Sequence, residues 1–193
     1  MNFPDPYGTA LSALAAAPVA FETVPDDALL ALAARVASVQ KVASTHAALI
    51  AGEVARRSDP ALGSSGLAQR TGHRTPEELV RVTTGSTRRD ARTAVTVGGL
   101  AAFPAYEPWL APVSAALLAG TVSVDAAAAI RTGLGTPTAD ITAAVLHDAA
   151  AGLCEVASSL DADRCCAWRG MRGTRSMKTG SGTGKPPATP PGP

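Results

Sequence analysis

The sequence predicts an all-α protein: one long helix, a bundle of shorter helices and a disordered C-terminal tail. Three observations point there. The chain is 46% apolar, much of it alanine, while Phe, Trp and Tyr together make up 4%. Alanine is the best helix former, whereas strands draw on β-branched and aromatic residues. Apolar residues recur at intervals of three and four, and no stretch alternates apolar and polar as a half-buried strand does. Ser, Thr, Asp, Gly and Pro stand where helices begin and end.

Residues 1–24 read as a flexible lead-in with a short helix near Leu11 to Ala17. The first strong element starts at Pro25-Asp26-Asp27, where the acids suit the positive end of a helix dipole. Leu29, Leu32, Val36, Val39, Ala43, His46 and Ile50 then come at alternating three- and four-residue spacing, a heptad seam. A helix from Asp27 to Arg57 would be ~46 Å long at ~1.5 Å per residue. Such a seam asks for a partner helix along it. Asp59-Pro60 closes the element, because the residue before proline is pushed out of the helical region.

A Gly/Ser loop from Gly63 to Gly66 leads to a short helix over Leu67 to Thr71, stopped by Gly72. Thr75-Pro76-Glu77-Glu78 has Thr to cap, Pro at the first turn and Glu three residues on, predicting a helix to about Thr83. Ser86 is expected to cap the next, which runs through Ala94 and Val97 to a stop at Gly98-Gly99. Pro108 opens a helix with Leu110, Val113, Leu117 and Leu118 inward and Gly120 as its stop. Ser123 caps another around Ala126 to Ile130, with Gly133 beyond it. The last spans about Ala139 to Ser158 with Ile141, Val145, Leu146, Leu153 and Val156. Residues 25–164 therefore read as a helical domain.

The formal net charge of +1 hides an asymmetry. Met1 to Asp163 carries 11 Lys/Arg against 16 Asp/Glu, whereas Arg164 to Pro193 carries six Lys/Arg and no acid. A globally basic nucleic-acid surface is thus absent, and any such contact must be local. Three cysteines, Cys154, Cys165 and Cys166, are too few and too odd for a disulfide scaffold and fit a reducing, cytoplasmic setting. The apolar N-terminal stretch has no basic flank and is broken by Pro4, Asp5 and Pro18, against a secretory signal. No apolar run reaches ~18 residues, against a membrane span.

Arg70, His73, Arg74, Arg81, Arg88, Arg89 and Arg92 form the densest basic cluster in the body. From Arg56 to Arg92, eight arginines face four acids. Short helices around a glycine turn are the ingredients of a helix-turn-helix, whose second helix enters a DNA groove. The competing reading is a solvated surface with local pairs, for which Glu77 and Arg81, four apart, have the favourable order. His46 on the seam reads as a hydrogen-bonded core residue or a register device, His73 and His147 as surface, and Trp109 as a core anchor. Cys165-Cys166 has no second pair to complete a zinc site. Gly180 to Lys185 lacks the Walker spacing and is followed by Pro186. No catalytic residue, metal site or cofactor is expected. The expected partners are DNA at the arginine cluster and a second copy along the Leu29–Ile50 seam.

Three blocks together resemble a known family: Gly66-Leu67-Ala68-Gln69-Arg70-Thr71-Gly72 leading into Thr75-Pro76-Glu77-Glu78; Trp109-Leu110 with Ala115 to Gly120; and Ser123-Val124-Asp125-Ala126-Ala127. In this order they resemble the N-terminal helical domain, of no assigned function, of actinobacterial HNH-endonuclease-like proteins, the thirteen-E-twelve repeat family. The resemblance runs from about Asp26 to Arg164. It implies a nuclease module further toward the C-terminus, with histidines that activate water and bind a divalent ion and an asparagine that orients one of them. Here the histidines are His46, His73 and His147, and the only asparagine is Asn2, so no His–Asn–His grouping can be drawn. The chain is therefore expected to be a non-catalytic member that stops short of the HNH module.

The tail changes character after Arg164. Gly and Pro make up more than half of the run from Thr179 to Pro193, which predicts disorder over 165–193. A one-base shift through GC-rich codons turns the tail into a charged, helix-compatible continuation, so it reads as a frameshifted translation.

Overall fold

A computed structural model describes residues 5–17 and 20–159. The tail reading, Cys165-Cys166 and Gly180 to Lys185 lie outside the described residues. Among those residues every regular element is helical. The chain divides into two compact units, residues 1–44 and 45–193.

The first unit holds α1 (Pro6–Ala15) and the greater part of α2 (Asp26–Arg56). The expected Leu11–Ala17 helix starts five residues early because Asp5 caps it: its carboxylate accepts from Gly8 N at 3.0 Å, and Pro6 opens the first turn. α2 matches the expected long helix to one residue at each end. Its seam is uncovered: Leu29, Leu32, Val36, Val39, Ala43, His46 and Ile50 are all exposed, Val36 by 55%. The core role expected for His46 is therefore corrected. The periodicity is present, and the positions that carry it are exposed.

The second unit contains the C-terminal turns of α2, then a 3₁₀ stretch (Pro60–Ser65), α3 (Leu67–Arg70), α4 (Pro76–Thr84), α5 (Arg88–Ala102), a 3₁₀ turn (Pro108–Leu110), α6 (Ala111–Leu118), α7 (Val124–Leu134) and α8 (Ala143–Ser159). The opening at Pro108 is 3₁₀ before it becomes α-helical, and α8 begins four residues later than expected. Ser123 caps α7 as its position demands, accepting from Ala126 N at 3.2 Å.

Two apolar clusters hold this unit together, and α5 contributes to both. Ala91 and Val95 pack with Ala51 of α2 and Val80 of α4. Val97 and Leu100, on the other side of α5, join Leu110, Val113, Leu117, Val122, Ala126, Ala127, Ile130, Ala150 and Cys154. A helix apolar on two faces is one buried between layers. Trp109 packs against the larger cluster, as a core anchor should, though its buried indole Nε1 has no hydrogen-bond partner among the described residues. Burial also pushes the Cys154 thiol up, away from the reactive thiolate.

Gly98-Gly99 was expected to end α5; the helix instead continues to Ala102. Gly98 serves a different purpose. A Cβ there would drive into the carbonyl oxygen of Ala48 and stand 2.7 Å from Gly52 N. At Gly52 a Cβ would drive into the Gly98 carbonyl. α2 and α5 therefore touch backbone to backbone, an approach only glycine permits.

Candidate nucleic-acid interface

The end of α2 positions α3 and the turn beyond it. Ser58 is buried; its hydroxyl donates to Val54 O at 2.7 Å and accepts from Ala68 N at 3.1 Å, while Leu67 N donates to Arg57 O at 2.8 Å. These bonds set α3 at the foot of α2. His73 N closes the next turn by donating to Ala68 O at 2.8 Å.

α4 begins with Thr75 Oγ1 accepting from Glu78 N at 3.2 Å, while the Glu78 carboxylate reaches back to accept from Arg74 N at 3.0 Å. This reciprocal arrangement satisfies two otherwise orphaned donors. It also engages Glu78 with backbone. α4 ends at Gly85, whose φ of 66° is the left-handed conformation that closes a helix and turns the chain. Ser86 and Thr87 complete a three-residue connection to α5. The cap of α5 is Thr87, not Ser86: Thr87 Oγ1 accepts from Asp90 N at 3.1 Å and donates to the Asp90 carboxylate at 2.7 Å. Ser86 instead meets the Thr84 hydroxyl at 2.8 Å. Both residues have capping chemistry, and the register of α5 selects the second.

An open cleft of about 810 Å³ lies between these helices. Arg74, Arg81, Arg88 and Arg92 line it, together with Thr75, Glu77, Glu78, Ser86 and Thr87. Four of the seven basic residues singled out in the sequence thus come together. Arg70, His73 and Arg89 are outside the cleft lining; Arg70 and Arg89 are exposed and His73 is half-buried. The hydroxyls of Thr75, Ser86 and Thr87 were not anticipated as site residues; their sequence signal was that of helix caps.

The pairing expected between Glu77 and Arg81 is not made. Among the described residues, the ion pairs join Glu53 to Arg56 and Arg57 and Glu107 to Arg131, His147 Nδ1 stands 3.6 Å from the Asp148 carboxylate, and none of these contacts involves an arginine of the cluster. Arg70, Arg74, Arg81, Arg88, Arg89 and Arg92 are all exposed. Three of them, Arg88, Arg89 and Arg92, occupy the first turn and a half of α5. In the first turn, which holds Arg88 and Arg89, the helix dipole opposes positive charge at ~0.3–1 kcal/mol each. Asp90, the acid in that first turn, is engaged by the Thr87 hydroxyl. Among the described residues no group of three or more His, Cys, Asp and Glu is placed to hold a metal, and no helix is long and apolar enough to cross a membrane.

Comparison of the chain with protein-family models, with curated proteins and with solved structures finds no match.

Proposed function

We propose that this chain is a non-catalytic, nucleic-acid-binding helical domain of the HNH-endonuclease-like kind, which grips a phosphate backbone through the α4–turn–α5 arginines. One observation carries the reading: six exposed arginines that make no ion pair among the described residues, four of them on one cleft, two in the first turn of a helix where their charge is locally unfavourable. Charge kept where it costs folding energy is explained by a partner that supplies the counter-charge. The family part of the proposal is supported by the blocks around Thr71-Gly72, Trp109-Leu110 and Ser123-Val124-Asp125.

Binding to a mixed-sequence DNA in a gel-shift or anisotropy titration should fall steeply with salt, as counterion release requires, and should weaken in the R88A/R89A variant. A salt-independent signal, or none at low salt, would remove the reading. The chain should also leave plasmid DNA intact with Mg²⁺ or Mn²⁺ present; metal-dependent cleavage by the purified protein would overturn the non-catalytic assignment.

A second reading, a helical protein–protein module that self-associates with no nucleic-acid role, is favoured by the exposed seam of Leu29, Leu32, Val36, Val39 and Ile50. Its measurement is sedimentation velocity over a wide concentration range. A dimer that the V36D variant dissociates would support it, and a monomer throughout would remove it.

A further inference from the structure

Resting on the nucleic-acid reading above, we propose that the ligand of the α4–α5 cleft is duplex B-form DNA, whose major groove receives the N-terminal end of α5 end-on. Along α5, Arg88, Arg89, Asp90 and Arg92 are exposed, whereas every residue from Thr93 to Ala102 is half-buried or buried. The helix can therefore offer a ligand its first turn and a half and nothing further. An α-helix is about 10–12 Å across, which a B-DNA major groove about 12 Å wide admits. The major groove of an RNA duplex is too narrow and deep for it.

The donors in this arrangement are side chains. The backbone N–H of Asp90 already bonds to Thr87 Oγ1. Arg88 and Arg92 stand four apart on one face of α5, and Arg74 and Arg81 belong to the segment that forms the other wall of the cleft. Guanidinium forks match both guanine O6/N7 and phosphate oxygens. Glu77 and Glu78 share the cleft. Their carboxylates repel phosphate, and that of Glu77 can accept from cytosine N4, which leaves the strand backbone to the arginines.

The sequence also argues against single strands. No Phe, Tyr or Trp occurs between Glu22 and Ala102. Proteins that hold single-stranded DNA or RNA stack the bases on aromatic rings, a platform worth about 1–3 kcal/mol per base that this surface does not have.

The experiment is a fluorescence-anisotropy titration of the full chain against a mixed-sequence DNA duplex of about 20 base pairs, one of its single strands, and an RNA duplex of the same sequence. The DNA duplex should bind at least about tenfold tighter than either alternative. The R88A/R92A variant, whose helicity is checked by circular dichroism, should lose about tenfold or more in duplex affinity and about two units of salt slope. Equal or tighter binding of the single strand or the RNA duplex overturns the duplex assignment and leaves the nucleic-acid reading standing. No binding of any of the three at low salt overturns both. An unchanged salt slope in the variant overturns the placement at α5.

Discussion

Two stretches of α2 dispose of their side chains in opposite ways. Between residues 29 and 43, Leu29, Leu30, Leu32, Val36, Val39 and Val42 are large, apolar and exposed. From residue 45 onward the buried positions are Thr45, Ala48, Ala51 and Gly52, small residues all. Size runs against burial. The reason is the crossing with α5, where backbone meets backbone at Gly52 and Gly98 and a large side chain has no room. Hydrophobic periodicity marks a face that wants a partner, while burial within the chain goes to the face small enough to let one close in.

The strongest way to break this comparison is to enlarge the crossing. At Gly98 the colliding groups are backbone and cannot rotate away. G98A should therefore destabilise the second unit by about 3 kcal/mol or more. Val36 lies on the exposed face. V36A should change stability by less than about 0.5 kcal/mol. Thermal and urea unfolding monitored by circular dichroism compares the two; a costly V36A with a silent G98A would invert the picture. Next in size is L110A, which empties a fully buried site in the larger cluster. It should cost about 2–3 kcal/mol in the same measurement.

A smaller effect is expected from T87A, which removes the cap of α5 and releases Asp90. The loss should be about 1 kcal/mol, whereas S86A should be nearly neutral if Thr87 alone holds that place. The smallest is electrostatic. Hydrogen bonds from Arg56, then Arg57, hold the Glu53 carboxyl down at about 2. A carboxylate whose folded pKa is depressed adds stability at pH values above its unfolded pKa and loses it as the pH falls toward the folded one. The melting temperature should therefore decline slightly from about pH 5 toward pH 2, and E53Q should flatten that decline. The Glu53 side chain is only partly covered and is screened by solvent, so a steep change would contradict its surface setting.

Much of the helix order was legible because local chemistry writes it. Thr75-Pro76-Glu77-Glu78, Ser123 and the long run after Asp26 each announce an element, and each lies where expected. The illegible part depends on distance in space. Gly98 carries the same signal as a helix stop and as a close-crossing residue, and only the arrival of Ala48 and Gly52 separates the two. Ser86 and Thr87 both have N-cap chemistry, with Ser the better of the two in isolation. For the site, the basic residues were visible as a cluster, but which of them share a wall depends on the turn at Gly85. The unmade Glu77–Arg81 pair shows the same limit, since spacing permits an ion pair without requiring one.

The glycine-to-glycine crossing also bears on how this architecture would change over generations. Gly52 and Gly98 interlock, each facing the other's backbone and Gly98 also facing the Ala48 carbonyl, so neither can gain a Cβ unless the helices part. A descendant chain could exchange nearly every exposed arginine or leucine and keep the fold. It would still have to retain glycine at positions 52 and 98, and that sparse fingerprint would outlast overall similarity.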